Sequence, residues 1–544
     1  MAGVVGARLG PAVGGRLEAV ARKRVLAAPD YLRLGVLLLV AAAVHLWLVT
    51  HTATTARDGI GFARYAINLQ SPHQTATGHD PARTVLQIVG VAQHPPAYPV
   101  AIWAVAKVVR RMGELPLPEA YLLAAQIVSA AAGVLLVVPT YLTGRMLFGR
   151  SAGFAAALLL QVLPTPARLT SDALTEGMYL FGASTAVMLG VRAVRRPTVG
   201  GFLLCGLATG FTYLVRPEGL LIAAGVGVTA VALLAARRWP LDLTLGRLAG
   251  LTVGVALVAG PYMAVINGLT NKTTGKDMLN PSVNPRANLF NQGPKAEARP
   301  VVAAPLFAEW REGGENPVVW AAGAVVVETV KALYYVPAVL ALLGVVLLRR
   351  RVAADPGLWC LLILAGLSAL LLTVVGIKAG YVSERHTLLL VMIGCVFAAA
   401  ALEPVALLLR NRVRAEWLLV GIAVAAIPAT LKPLHANREG FKHAGRWMAE
   451  NVTPADCVID PFEWAQFYSG RSLYGVPPDP EKPVNTFAVV DDRTRADEHV
   501  RLPRLDLAID VLKNGNSRVV YHWPENVPES EAKVKVYRLT RSPE

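Results

Sequence analysis

The sequence predicts an α-helical polytopic membrane protein with a small α/β domain at its C-terminal end, and three observations predict it. The chain of 544 residues is 54% hydrophobic and only 17% charged, a composition of the membrane class. Apolar runs recur between Leu34 and Leu431, many near the roughly 20 residues that cross a hydrocarbon core as a helix. The net charge of +16 lies between those runs as short arginine clusters. From Lys432 onward 16 Lys and Arg face 17 Asp and Glu, so the whole excess sits in the first 431 residues. That distribution follows the positive-inside rule and argues against a nucleic-acid surface. Cys205, Cys360 and Cys395 lie in apolar runs and only Cys457 lies outside, with no CxxC pair. Neither a disulfide framework nor a cysteine metal site is expected.

Taken in order, the chain begins with Arg8, Arg16, Arg22, Lys23, Arg24 and Arg33 ahead of the run 34–50. A cleavable leader has a shorter basic region and a small-residue cleavage site. Residues 1–33 are therefore expected to be a cytoplasmic tail before a retained first span. Charge parity then sets the course of the next segments. If 96–110 crossed the membrane, Arg192, Arg195 and Arg196 would fall outside. That segment is instead expected to lie against the membrane at the end of an outer loop, 51–118.

Spans at 119–142, 151–166, 171–191, 198–214, 219–236, 246–266, 332–348, 358–376, 387–409 and 416–431 then alternate. They leave Arg145/Arg150, Arg192–Arg196, Arg237-Arg238, Arg349–Arg351 and Arg410/Arg412/Arg414 inside. This makes about eleven transmembrane helices in a membrane domain over 34–431. A second outer loop, 267–330, is rich in Pro, Asn and Gly, with a short amphipathic helix expected near Pro305–Arg311. Residues 432–544 form a soluble domain on the outer side. It has a helix over Arg438–Glu450, strands at 457–460, 486–490, 518–523 and 533–539, and a helix around Leu505–Lys513.

On this topology the outer face collects the chemistry. Asp58 stands in RDGIGFARYAINL, where Gly59 and Gly61 permit close backbone approach and the apolar residues repeat at helical spacing. The acid is thus expected at a helix N-terminus, where a carboxylate can take a proton from an incoming hydroxyl or amine. His94 precedes two prolines that start a helix. Asp172 and Glu176 are four apart and expected on one helical face, with Glu176 one turn into an apolar span where ionisable groups are costly. Arg216-Pro217-Glu218-Gly219 forms a charged outer turn, and Lys378, Tyr381, Glu384, Arg385 and His386 crowd another. Cations at the outer interface run against the positive-inside rule, which makes Arg385 and Lys378 candidates to hold an anionic headgroup. Without a nucleotide motif, the reaction is expected to use a lipid-linked, phosphate-activated donor.

The order of these motifs resembles the C-type-fold (GT-C) membrane glycosyltransferases. It is closest to the protein mannosyltransferase and aminoarabinose-transferase-like branch that uses polyprenyl-phosphate sugars. The resemblance rests on DGIGFARYA, HPPAYP, SDALTE, RPEGL and YVSERH over roughly residues 30–400. It implies Asp58 and Asp172 as catalytic acids, a polyprenyl-phosphate-linked sugar donor, and a place in the plasma (inner) membrane of a bacterium. It departs in having a single acid at Asp58 and Gln93-His94 before the prolines.

The expected reaction is an inverting transfer to a protein, lipid or glycan acceptor. Arg385, Lys378, His94 and Arg216 bind the donor phosphate. Glu176, Glu218, Tyr381 and His386 orient acceptor or sugar. No cofactor is specified, and a divalent metal shared by Asp58, Asp172 and Glu176 stays open. The rival reading is a transporter or lipid flippase, against which stand the absence of inverted repeats and the clustering of charge on one face.

Overall fold

A computed structural model describes residues 27–70, 84–272, 316–379, 382–410, 412–476, 479–481, 483–491, 504–513 and 515–540. Most of the basic tail, most of the loop 267–330 with its expected helix near Pro305–Arg311, and Tyr381 lie outside the described residues.

Among the described residues, seven helical segments are long and apolar enough to cross a membrane: Ala28–Thr50, Leu117–Phe148, Glu176–Arg195, Pro217–Ala235, Leu241–Ile266, Pro356–Lys378 and Glu384–Leu408. Pro317–Ala332, a helix where the loop 267–330 was expected to continue, passes the same test only together with Val336–Leu347, to which it is bent by 110°. Three shorter apolar helices, Arg150–Val162, Val199–Val215 and Ala415–Thr430, overlap the expected spans 151–166, 198–214 and 416–431. The Arg150–Val162 helix stops where Leu163 turns extended before Pro164, as the residue ahead of a proline tends to do.

The basic markers converge on one end of the bundle. Arg145 and Arg150 each reach the buried Asp30 carboxylate at 2.9 Å, and Arg195 pairs with Asp355 at 3.3 Å. Arg351 donates to the carbonyl of Leu147, and Arg238 to those of Ala353 and Ala354. Asp58 lies at the opposite end, beneath the C-terminal unit.

The Ala97–Met112 helix packs against the Leu117–Phe148 segment. At its start Tyr98 donates to the carbonyl of Ala125 at 3.0 Å. Its last turn carries Arg110, which lies near Tyr121, and Tyr121 in turn bonds Gln70. The Leu117–Phe148 segment is 32 residues, about 48 Å at 1.5 Å per residue and longer than a bilayer core. In its first turn Glu119 meets Lys442 at 2.9 Å and Arg446 at 2.7 Å. Ala97–Met112 runs antiparallel to the first turns of this segment, where part of its apolar stripe finds protein.

The C-terminal unit is a four-stranded sheet in the order β1-β2-β4-β3, with β1 Cys457–Ile459, β2 Asn485–Asp491, β3 Ser517–Trp523 and β4 Val534–Thr540. The β1–β2 pair is parallel and the others antiparallel. Glu439–Asn451 and Leu505–Lys513 are helical, as their periodicity predicts, and a short helix at Trp464–Tyr468 was not expected. The unit is fastened to the bundle through the backbone, with the Ala53 N–H donating to the Leu434 carbonyl at 3.1 Å.

Candidate functional site

The site begins with the Arg57–Gln70 helix. Its buried face is Ile60, Phe62, Ala63, Tyr65, Ala66 and Ile67, which leaves Asp58 in the first turn, where a carboxylate is favoured by the exposed N–H groups. Gly59 lets this turn approach the chain at Ala173, for a Cβ there would meet the Ala173 Cβ and carbonyl oxygen at 2.9 Å. Gly61 has no such neighbour.

Arg385 joins Asp58 to the bundle. Its Nη1 donates to Asp58 Oδ2 at 2.5 Å, and its Nε donates to Glu176 Oε1. The same Glu176 oxygen accepts from Arg216 Nη1 at 2.9 Å, and Arg216 also pairs with Glu218 at 3.5 Å. The result is an alternating chain: Asp58, Arg385, Glu176, Arg216, Glu218. The Glu176 side chain is fully buried while Asp58 is 51% exposed. In this arrangement Glu176 faces the two guanidiniums. Its position fixes two guanidiniums that would be costly to bury alone. Burial would raise the Asp58 carboxyl, but the Arg385 charge outweighs it and holds it below the usual carboxylate range.

Asp172 stands apart from this chain and is not on a helix with Glu176. Residues 171–175 form a turn, and the helix starts at Glu176. The reason is local: Asp172 Oδ1 accepts from the N–H of Ala173 at 2.7 Å and of Ala56 at 3.0 Å, an alternative to helical pairing that Asp side chains commonly take. Its other oxygen meets His435 Nε2 at 2.7 Å. Asp172 is buried and holds the strand of chain that leads into Asp58.

His94 packs against the Phe62 ring, with centroids 4.8 Å apart. Burial, together with the positive charges of Lys272 and Arg216, pushes its imidazole down to about 4, so it is neutral at physiological pH. His386 lies in the turn Glu384–Thr387 beside Arg385, with Nδ1 3.0 Å from the Ser383 hydroxyl. Lys378 lies in the last turn of the Pro356–Ala379 helix. Tyr381 is outside the described residues.

Three participants are absent from the candidates that the sequence suggests. Lys272 lies within electrostatic reach of Glu218, Arg216, Arg385 and Asp58. Burial lowers its ammonium from the ordinary lysine range, and no acid lies within ion-pair distance of it among the described residues. It carries the signal used for Arg385, a cation just past an outward-running span. His435 and Glu463 gave none, since their importance comes only from where the C-terminal unit docks.

The three carboxylates Asp58, Asp172 and Glu176 do not form a metal donor set. Both guanidiniums occupy Glu176 Oε1 and His435 faces Asp172. Among the described residues no group of three His, Cys, Asp or Glu side chains could hold an ion. The arrangement instead offers an exposed carboxylate next to a neutral imidazole and a cluster of cations. That set can accept a proton and bind a phosphate in one place.

Residues 93–263 match the family described as dolichyl-phosphate-mannose-protein mannosyltransferase. No curated protein matches the sequence. In structure the chain is similar to ArnT from Cupriavidus metallidurans in the apo state, with a TM-score of 0.54 at 14% identity, covering 94% of this chain and 99% of that one. It is similar to the same protein bound to undecaprenyl phosphate, with a TM-score of 0.51 at 14% identity over 95% and 99%. It is also similar to the Archaeoglobus fulgidus oligosaccharyltransferase tethered to an acceptor peptide, with a TM-score of 0.53 at 13% identity over 91% and 73%. At these identities the likeness is one of fold.

Proposed function

We propose that this chain, an integral membrane protein with the fold of the C-type glycosyltransferases, moves a sugar from a polyprenyl-phosphate carrier to an acceptor. The transfer takes place on the face that bears Asp58. The observation that carries the reading is the half-exposed Asp58 carboxylate held at 2.5 Å by Arg385, on the face covered by the C-terminal unit. The matched mannosyltransferase family and the structural neighbour bound to undecaprenyl phosphate support the donor class.

In this mechanism Asp58 accepts the proton of an acceptor hydroxyl or amine. The acceptor atom attacks the anomeric carbon as its bond to the phosphate oxygen breaks. The polyprenyl phosphate leaves with the electron pair, and the configuration at that carbon inverts. Arg385, Lys272 and Arg216 stabilise the charge gathering on the phosphate, and neutral His94 can donate a hydrogen bond to it. Glu176 holds the two arginines, and Asp172 with His435 holds the approach to Asp58. Asp172 is thus a positioning group in the proposal, not a second base. With the arginine-rich end in the cytoplasm, Asp58 and the C-terminal unit face outward.

The test is reconstitution of the purified protein in liposomes with a labelled polyprenyl-phosphate sugar and an envelope-derived acceptor fraction. The reading expects release of free polyprenyl phosphate with the label moved to the acceptor. Movement of intact donor across the bilayer without its consumption would instead establish a flippase.

A further inference from the structure

We infer that Glu463, in the C-terminal unit, is a positioning residue that sets the Asp58 helix, an inference that rests on the reading of Asp58 as the base. The two oxygens of one carboxylate reach two arginines of that helix: Oε1 accepts from Arg57 Nη2 at 2.9 Å, and Oε2 from Arg64 Nη1 at 2.6 Å. Arg57 and Arg64 are seven residues apart, about two helical turns, and so lie on one face. A rod gripped at two points along one face can neither roll nor slide, and Arg57 is the residue directly before Asp58.

The grip is built from both sides. Arg64 also donates through Nε to the Ser472 carbonyl and through Nη2 to the Ser472 hydroxyl, each at 2.7 Å. Just ahead of the helix, Trp464 Nε1 donates to the Thr55 carbonyl at 3.1 Å. Glu463 has its backbone in the left-handed region, at φ 66°, a conformation that a non-glycine residue rarely adopts. It is kept there by Asp460, whose carboxylate accepts from the N–H groups of Phe462 at 3.1 Å and Gln466 at 3.0 Å. Burial would raise the Glu463 carboxyl, but Arg64 and Arg57 hold it below the usual range, so the grip is ionic.

Glu463 is one of several contacts that dock the unit. The Lys442 and Arg446 pairs with Glu119 and the Ala53–Leu434 backbone bond fasten it separately. Removing the Glu463 charge therefore loosens the Asp58 helix while the unit stays in place. Since a catalytic group displaced by about 1 Å can cost on the order of a hundredfold, the effect falls on turnover and spares donor binding.

The experiment compares the full-length wild type with Glu463→Gln by amide hydrogen exchange and by transfer kinetics. Exchange in 57–70 is expected to quicken while exchange in 439–451 stays at its wild-type rate. Turnover is expected to fall about tenfold or more with KM for the polyprenyl-phosphate sugar held within about twofold, and Glu463→Asp to recover part of it. Wild-type exchange in 57–70 overturns the proposal, as does wild-type turnover or equal loosening of 439–451. If Glu463→Gln does not fold, Glu463→Asp takes its place in both measurements, and failure of both variants to fold makes the contact purely structural and overturns it. Exchange needs no transfer reaction. An inactive wild type would therefore sink the reading of Asp58 while the exchange data still judge the tether.

Discussion

Asp58 and Arg385 are 327 positions apart in the chain and meet at 2.5 Å. The guanidinium reaches Asp58 through one nitrogen and the buried Glu176 through another, so one side chain links the exposed acid to a buried one. The chemistry open to the site depends on how that tie is supported.

Glu176→Gln removes the charge that lets Arg385 and Arg216 sit side by side. The expected result is a loss on the order of 3 kcal/mol of stability, the usual cost of leaving buried charges uncompensated, together with loss of transfer. Thermal unfolding of the detergent-solubilised protein measures the first. A Glu176→Gln protein as stable and as active as the wild type contradicts the alternating chain.

The pH dependence comes from the sign of the Asp58 shift. Arg385 holds the carboxyl below its ordinary range against burial, so the base stays ionised through weakly acidic pH and activity falls only below that range. Arg385→Met takes away the depressing charge and leaves the burial that raises the carboxyl. The acid limb of the residual kcat/KM profile should then move upward in pH. An unmoved limb would mean that the titrating group is not Asp58.

Gly59→Ala places a methyl group 2.9 Å from the Ala173 Cβ and carbonyl oxygen. Overpacking of this kind costs about 1 to 3 kcal/mol, and relief by backing the helix away would displace Asp58. Turnover should drop in Gly59→Ala and stay near the wild type in Gly61→Ala, where nothing lies within 4 Å. Equal kinetics in the two variants would contradict the close approach.

Much of this was legible because membrane physics writes itself into sequence. Arginine clusters marked one end of the bundle, where the structure gathers Arg145, Arg150, Arg195, Arg238 and Arg351. The alternation of apolar residues gave all four strands, and the run after Asp58 gave its helix. Asp172 misled because spacing of four assumes a helix, and a carboxylate able to bond its own backbone ended that assumption. Apolar periodicity shows that the stripe of 96–110 is covered without showing by what, and here the start of the Leu117–Phe148 segment covers part of it. His435 and Glu463 were invisible because their partners Asp172, Arg57 and Arg64 lie hundreds of residues away. Only the docked C-terminal unit brings them together.

The most direct measurement is transfer by Asp58→Asn, with binding of the polyprenyl-phosphate sugar followed in parallel. Asparagine keeps the shape and a hydrogen-bond acceptor for Arg385 but cannot take a proton. The account predicts that turnover falls by roughly a hundredfold to ten-thousandfold, the range for removing a general base, while the donor still binds. Wild-type turnover in Asp58→Asn would contradict it.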